Sequence, residues 1–249
     1  AAQIQRTNWT NAGRKLYTCT GACTNNSLLS ATPFAATNSA VSASSLSSTD
    51  PLLPRTVTSG EVSSIINWVR GQDVQNERDT TGVGVRPSLH GDVLHSRPAV
   101  LSYARDGTDN DIVVFYGGND GVFRAITGGK ANANGGKELW GFIPSEMFGK
   151  LVRLYDNAPA ITTGNSGKNK TYFLDGNVTF YTLDANNDGR LRSVDGDKVY
   201  LYATARRGGR LIYAFDVSDP DNPRLLWKVS NATSGMAQLG QTWSEAKIA

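Results

Sequence analysis

Charge is scarce in this sequence. Asp, Glu, Lys and Arg make up 19% of its 249 residues, against roughly 25% in an average soluble domain. Twenty-five basic side chains against 22 acidic ones leave a net charge of +3, too little to argue for a nucleic-acid partner. No run of apolar residues is long enough to form a membrane-spanning helix. The opening Ala1-Ala2-Gln3-Ile4-Gln5 has neither a charged region nor an apolar stretch, so no signal peptide is expected there. Histidine is reduced to His90 and His95. No Ser/His/Asp or Cys/His constellation with the required partners can be assembled, and no catalytic residue is expected. The two cysteines fall in Cys19-Thr-Gly-Ala-Cys23. In an oxidising compartment such a pair closes a small disulfide loop. Two free thiols, or half of a zinc site with two ligands still to find, are the alternatives.

What is abundant is glycine, 26 residues, together with five Trp, nine Tyr and eight Phe. That mixture points to many strands and tight turns, in a chain long enough to bury a real core. Residues 1–91 read as an irregular N-terminal segment. Within it, residues 24–50 are mostly Ser, Thr, Asn and Ala and suggest a partly mobile loop or linker with little apolar surface to bury. One helix is expected near 60–70: Thr58 and Glu61 form a capping box, Val62, Ile65, Ile66 and Val69 an apolar stripe, and Gly71 a stop. Residues 92–249 carry the regular part. Arg97–Ser102, Asp111–Tyr116, Gly121–Thr127 and Lys137–Ile143 read as four strands, and Asn177–Leu183, Lys198–Thr204, Arg210–Val217 and Arg224–Ser230 as four more. A helix near 145–155, capped by Ser145, separates the sets, with Met147, Phe148, Leu151, Leu154 and Tyr155 on one face.

The two sets resemble each other. The first runs from Val113 through Ala125 to Trp140 and the second from Val199 through Ala214 to Trp227, and Gly240-Gln-Thr-Trp-Ser244 echoes the start, Leu94-His-Ser-Arg-Pro98. Four-strand units with a fixed aromatic on the last strand mark propeller blades. The fold class expected is therefore all-β, a partial β-propeller of about two blades and the start of a third, with a few short helices.

Asp184-Ala-Asn186-Asn-Asp188-Gly189-Arg190-Leu-Arg192-Ser-Val-Asp195 matches the EF-hand scheme, with Asp in place of the final Glu. Calcium wants six to eight oxygens, and this spacing supplies them from the side chains of Asp184, Asn186, Asp188 and Asp195 and the carbonyl of Arg190. Position 9 is Arg192, which offers no oxygen, and Asp197 is a substitute ligand. The flanks, Val178–Thr182 and Val199–Tyr202, read as strands, so this is an EF-hand-like loop set into a β-connection. A metal-free Asp/Asn/Gly turn is the alternative. The cluster Asp106, Asp109, Asp111 lacks this scheme and reads as a solvated turn. Arg206, Arg207 and Arg210 form a basic patch, either a solvated hairpin tip or a contact for an anionic partner. Gly164 to Asn169 has the flavour of a phosphate loop without its full pattern and is set aside.

Tyr116-Gly-Gly-Asn-Asp-Gly121 with Gly136-Lys-Glu-Leu-Trp140 looks like the tryptophan-docking repeat of quinoprotein-like propellers. Gly91–Pro98, Gly136–Pro144, Tyr172–Gly176, Asn67–Asp73 and Ala214–Pro220 together resemble the C-terminal domain of the PilC/PilY family, type IV pilus tip-associated adhesins and biogenesis factors. The likeness covers roughly residues 60–249. It implies a non-enzymatic, calcium-binding module that supports pilus biogenesis and adhesion. It further implies export through the periplasm to the cell surface or pilus tip, with pilus subunits and host-cell receptors as partners. The family's use of such a loop for calcium adds to the reading of 184–195, and passage through the periplasm favours a Cys19–Cys23 disulfide. Some members carry an integrin-binding Arg-Gly-Asp; the nearest tract here, Arg70-Gly-Gln-Asp73, has an inserted residue and sits at a helix end. A quinone-dependent dehydrogenase lacks its adjacent cysteines here, and a metal-free propeller scaffold is the remaining alternative.

Overall fold

The computed structural model describes residues 13–21, 23, 26–28, 32–78, 84–129, 135–160 and 170–247. The tract Gly164 to Asn169 lies outside the described residues.

Alternation of apolar and polar residues, broken by glycine-rich turns, builds two antiparallel meanders. β3 (Ala99–Ser102), β4 (Ile112–Gly117), β5 (Phe123–Thr127) and β6 (Glu138–Pro144) form the first. β7 (Val178–Leu183), β8 (Lys198–Thr204), β9 (Leu211–Asp216) and β10 (Arg224–Ser230) form the second. All eight coincide with strands read from the sequence, within two residues at each end. The N-terminal segment adds a fifth strand to each sheet. β1 (Leu16–Cys19) lies parallel on β6, and β2 (Asn26–Ser27) lies antiparallel on β10.

The sheets meet through an aromatic layer. Phe115, Phe123, Trp140 and Phe142 on the first are wholly buried, as are Tyr213 and Phe215 on the second. Phe123 stacks on Phe215 with centroids 5.4 Å apart, Trp140 sits 6.4 Å from Phe215, and Phe142 meets Tyr213 edge-on at 5.1 Å. Such pairs add to the area term. The Trp140 indole N–H donates to the carbonyl of Pro220, 2.8 Å away, so its one polar atom is satisfied inside the core.

The internal repeat persists in three dimensions. Trp140 pairs with Ala125 and Trp227 with Ala214. Both strands bulge just before the tryptophan, at Leu139 and Leu226, which re-aims the side chain. The outcomes differ: Trp140 is sealed, while Trp227 is 40% exposed, resting on Tyr202.

Helix α1 (Ala43–Leu46) is a single turn capped by Ser42; it and α2 (Val62–Arg70) both pack on α3 (Phe148–Asp156). α2 buries Ile65, Ile66 and Val69 and stops at Gly71, whose φ of 121° suits glycine. Two expected caps differ. The Glu61 carboxylate does reach back to the Thr58 N–H at 2.8 Å, but α2 begins only after Glu61. Ser145 opens a 3₁₀ turn, Ser145–Met147, and its hydroxyl turns to Glu146 instead of capping α3.

Residues 32–50 are irregular in trace, as expected, yet not poor in buried surface. Phe34 and Leu46 are fully buried and Val41 nearly so; Phe34 meets Phe148 edge-on at 5.4 Å. A buried ion network anchors this segment. Arg14 grips both oxygens of Glu138, at 2.7 and 3.1 Å, and donates to the carbonyls of Val69 and Arg70. Arg124 joins from the other side, bridging Glu138 and Asp120. Arg70 donates to the carbonyls of Phe34 and Arg14 and is 2% exposed. Asp73 is wholly buried, accepting the N–H groups of Glu77 and Arg78. Neither end of Arg70–Asp73 is presented to a partner.

Candidate metal loop and the buried junction beside it

The EF-hand-like loop connects β7 to β8, between strands as the sequence reading expected. Its first half is folded around its own acidic side chains. Asp184 accepts the N–H of Asp188 at 3.2 Å and of Gly189 at 2.8 Å, Asn186 that of Asp188 at 3.1 Å, and Asp188 that of Arg190 at 2.9 Å. Asn187 and Gly189 take positive φ, 56° and 77°, the conformation a tight reversal needs and Asn and Gly tolerate. Asp184, Asn186 and Asp188 are thus brought together around the backbone amides of Asp188, Gly189 and Arg190.

Asp195 is placed differently. It ends a 3₁₀ turn, Ser193–Asp195, and pairs with Arg192 Nε at 2.6 Å, while Arg192 Nη2 donates to Asp188 at 2.8 Å. The Nε contact is one of charge rather than an aligned hydrogen bond: Asp195 Oδ2 is buried without a hydrogen-bond donor. One guanidinium therefore spans the two carboxylates, supplying the positive charge between positions 5 and 12 of the loop. Among the described residues no three His, Cys, Asp or Glu side chains gather closely enough to hold a metal in this conformation. The donor set is nonetheless all oxygen, and Asp195 Oδ2, met by the Arg192 charge without an aligned hydrogen bond, is of the kind a hard cation satisfies.

Asp197 is tied to the backbone. Its two oxygens accept the N–H groups of Arg192 and Ala185, each at 2.8 Å, and these bonds, with the nearby Arg192 charge, hold its carboxyl below the ordinary value. It clips the loop's second half to its start. The loop also leans on the first sheet. Leu191 N–H donates to the Tyr103 carbonyl at 2.8 Å, and the Arg190 guanidinium lies against Gly107. The turn around Asp106 and Asp109 is exposed, while Asp111 is gripped by Arg105, which also reaches Asp221.

A second constellation was not legible as a unit. The Gly91–Pro98, Tyr116–Gly121 and Tyr172–Gly176 tracts converge on Asp175, which is 1% exposed. His95 Nδ1 lies 2.7 Å from one Asp175 oxygen and the Asn119 amide donates to the other at 3.1 Å. Asn119 also donates to Asp92 and accepts the N–H of Phe173. Gly117 and Gly208 let the 173–174 backbone pass: a Cβ on either would fall 1.9 Å from the Leu174 carbonyl or 1.5 Å from that of Phe173. His95, just ahead of the first strand, thus has a buried structural partner. The individual residues were visible in the sequence; their meeting is long-range and left no local signal.

Cys19 and Cys23 are joined in a disulfide with Cα atoms 5.9 Å apart, which resolves the choice left open by their spacing.

In an alignment of 204 residues that covers 74% of its length, the chain is 30% identical to the Type IV pilus biogenesis factor PilY1 homolog of Xylella fastidiosa. In one of 241 residues that covers 82% of its length, it is 29% identical to Type IV pilus biogenesis factor PilY1 of Pseudomonas aeruginosa. The chain belongs to the PilC/PilY family. It spans only 15% and 19% of those two relatives. No family model matches the chain, and no solved structure does. Among the described residues no helix is long and apolar enough to cross a membrane.

Proposed function

We propose that this chain is a calcium-responsive, non-enzymatic module of a surface-exported type IV pilus biogenesis and adhesion factor, acting with pilus subunits and, through adhesion, with host-cell receptors. The observation that carries the reading is the family relationship, since both relatives are named as type IV pilus biogenesis factors. The Cys19–Cys23 disulfide supports export, because such bonds persist in oxidising compartments. The two sheets are read as neighbouring blades of a β-propeller. Their shared four-stranded order, matching bulges and the tryptophan seated between them support that.

Within this module the 184–195 loop is the calcium site, with Asp184, Asn186, Asp188, the Arg190 carbonyl and Asp195 as ligands. The pre-folded first half supports this reading, and Arg192 defines what binding must do: the cation displaces the guanidinium from Asp188 and Asp195. That competition, with Asp at position 12, places affinity in the weak extracellular range, about 10⁻⁴ to 10⁻³ M. At a hundredfold excess over the dissociation constant such binding adds about 2.7 kcal/mol of stability. Titration calorimetry decides it. Heat of binding and a thermal shift in millimolar calcium are expected, both lost in Asp184→Ala and Asp188→Ala with the strands intact. No heat and no shift would mean the loop is only a turn.

A further inference from the structure

The loop leaves unexplained a second feature, a cleft of about 580 Å³ between the N-terminal segment, the start of α3 and the 170–172 connection. One side is rich in hydroxyls, from Ser44 to Thr49, and the lining also carries the buried Arg153, the half-buried Lys150 and the exposed Arg207. We propose that this cleft binds an oxyanion, the phosphate or carboxylate group of a small hydroxyl-bearing ligand.

Three observations carry the assignment. First, none of these cations makes an ion pair among the described residues. Lys150 donates to the carbonyls of Tyr172 and Gly208, which leaves one ammonium hydrogen over. Arg207 donates to the Tyr172 hydroxyl at 3.0 Å and lies over the Tyr172 and Trp243 rings. Arg153 donates to the Thr171 hydroxyl and the Pro159 carbonyl. Second, Arg153 is only 8% exposed, and its Nε has no hydrogen-bond partner among the described residues. A buried guanidinium N–H without an acceptor is costly unless something else supplies one. Third, cations outnumber the acids left to face them. Glu146 accepts Lys228 and the Tyr213 hydroxyl, which leaves Asp50, whose carboxylate accepts the Leu52 N–H, as the one unpaired acid among the described residues lining the cleft, against three cations. Lys170, at the rim, is paired with Asp92. The cleft is thus cationic by construction, and a planar guanidinium beside an ammonium is the pairing that grips oxyanions. Burial already pushes Lys150 down to about 8 against the pull of Asp50; an anion beside it relieves that cost.

The test uses the full chain at constant ionic strength in chloride, titrated with inorganic phosphate and, separately, with glucuronate. The Arg153 Nε–H resonance and the thermal midpoint are followed together. A saturable shift of that resonance with at least one of the two is expected; phosphate alone identifies a phosphate-bearing ligand, glucuronate alone a carboxylate-bearing one. The dissociation constant rises about tenfold or more in Arg153→Gln and in Lys150→Met, and is unchanged in Arg97→Gln, an exposed cation outside the cleft. No saturable movement of the wild-type resonance overturns the proposal, as does binding that survives Arg153→Gln unchanged. Should the variants not fold, the wild-type resonance decides alone.

Discussion

Glu138 illustrates how much of this molecule hangs on single buried charges. Burial alone would raise its carboxyl, but the Arg14 and Arg124 charges and the Arg14 hydrogen bond hold it below the ordinary value. Asp120, against Arg124, is held down to about 2 for the same reason. A depressed carboxyl stabilises the fold fully above its unfolded value, 3.8 for Asp, and progressively less as pH falls toward the folded value. Acid unfolding followed by circular dichroism is expected to begin below about pH 4. Glu138→Gln strands two guanidinium groups and is expected to cost about 3–5 kcal/mol in urea melts at pH 7. A loss under about 1 kcal/mol would show the network to be dispensable.

At the scale of elements, the eight meander strands were legible because each alternates or ends in a turn whose chemistry is local. β1 and β2 were not. Leu16–Cys19 is buried at all four positions, as expected of a parallel strand against a covered edge, so it shows no alternation. β2 is two residues long, and its pairing with Arg224 and Leu225 is purely tertiary. Phe34, Val41 and Leu46 are too widely spaced in a polar tract to form a period, which is why that stretch reads as a linker. The 184–195 loop was legible by spacing, but Arg192 was read only as a missing oxygen, not as a resident cation. The disulfide closes a short loop at the end of β1. Chain-entropy reasoning gives about 2 kcal/mol for so small a ring. Cys19→Ser with Cys23→Ser should lower the denaturant midpoint accordingly, with an unchanged slope; an unchanged midpoint would assign the bond no role in stability.

For the molecule as a whole, the two tryptophans make an internal comparison. Trp140 and Trp227 share register, bulge and strand position, and differ in what covers them. Trp140→Ala should cost about 3–5 kcal/mol, by the cavity it opens between the sheets. Trp227→Ala should cost less than about 1 kcal/mol in this chain, being a surface change. In a longer polypeptide that supplies a third sheet, Trp227→Ala should become as costly as Trp140→Ala, and Trp227 fluorescence should shift to the blue. Equal costs in both lengths would remove the blade reading.

The two strands donated by the N-terminal segment also set an order of events. β1 waits for β6, and β2 for β10, so these two strands complete their pairing only after the last meander strand has emerged. Contacts of such sequence separation slow folding, because the intervening loop must close before they reward it. Until β6 and β10 have formed, β1 and β2 have no edge to lie on, and their unpaired backbone is open to other chains. A polypeptide threaded through a membrane from its N-terminus would emerge with its clasp in front and its latch behind. It would remain unlocked until translocation had passed Ser230.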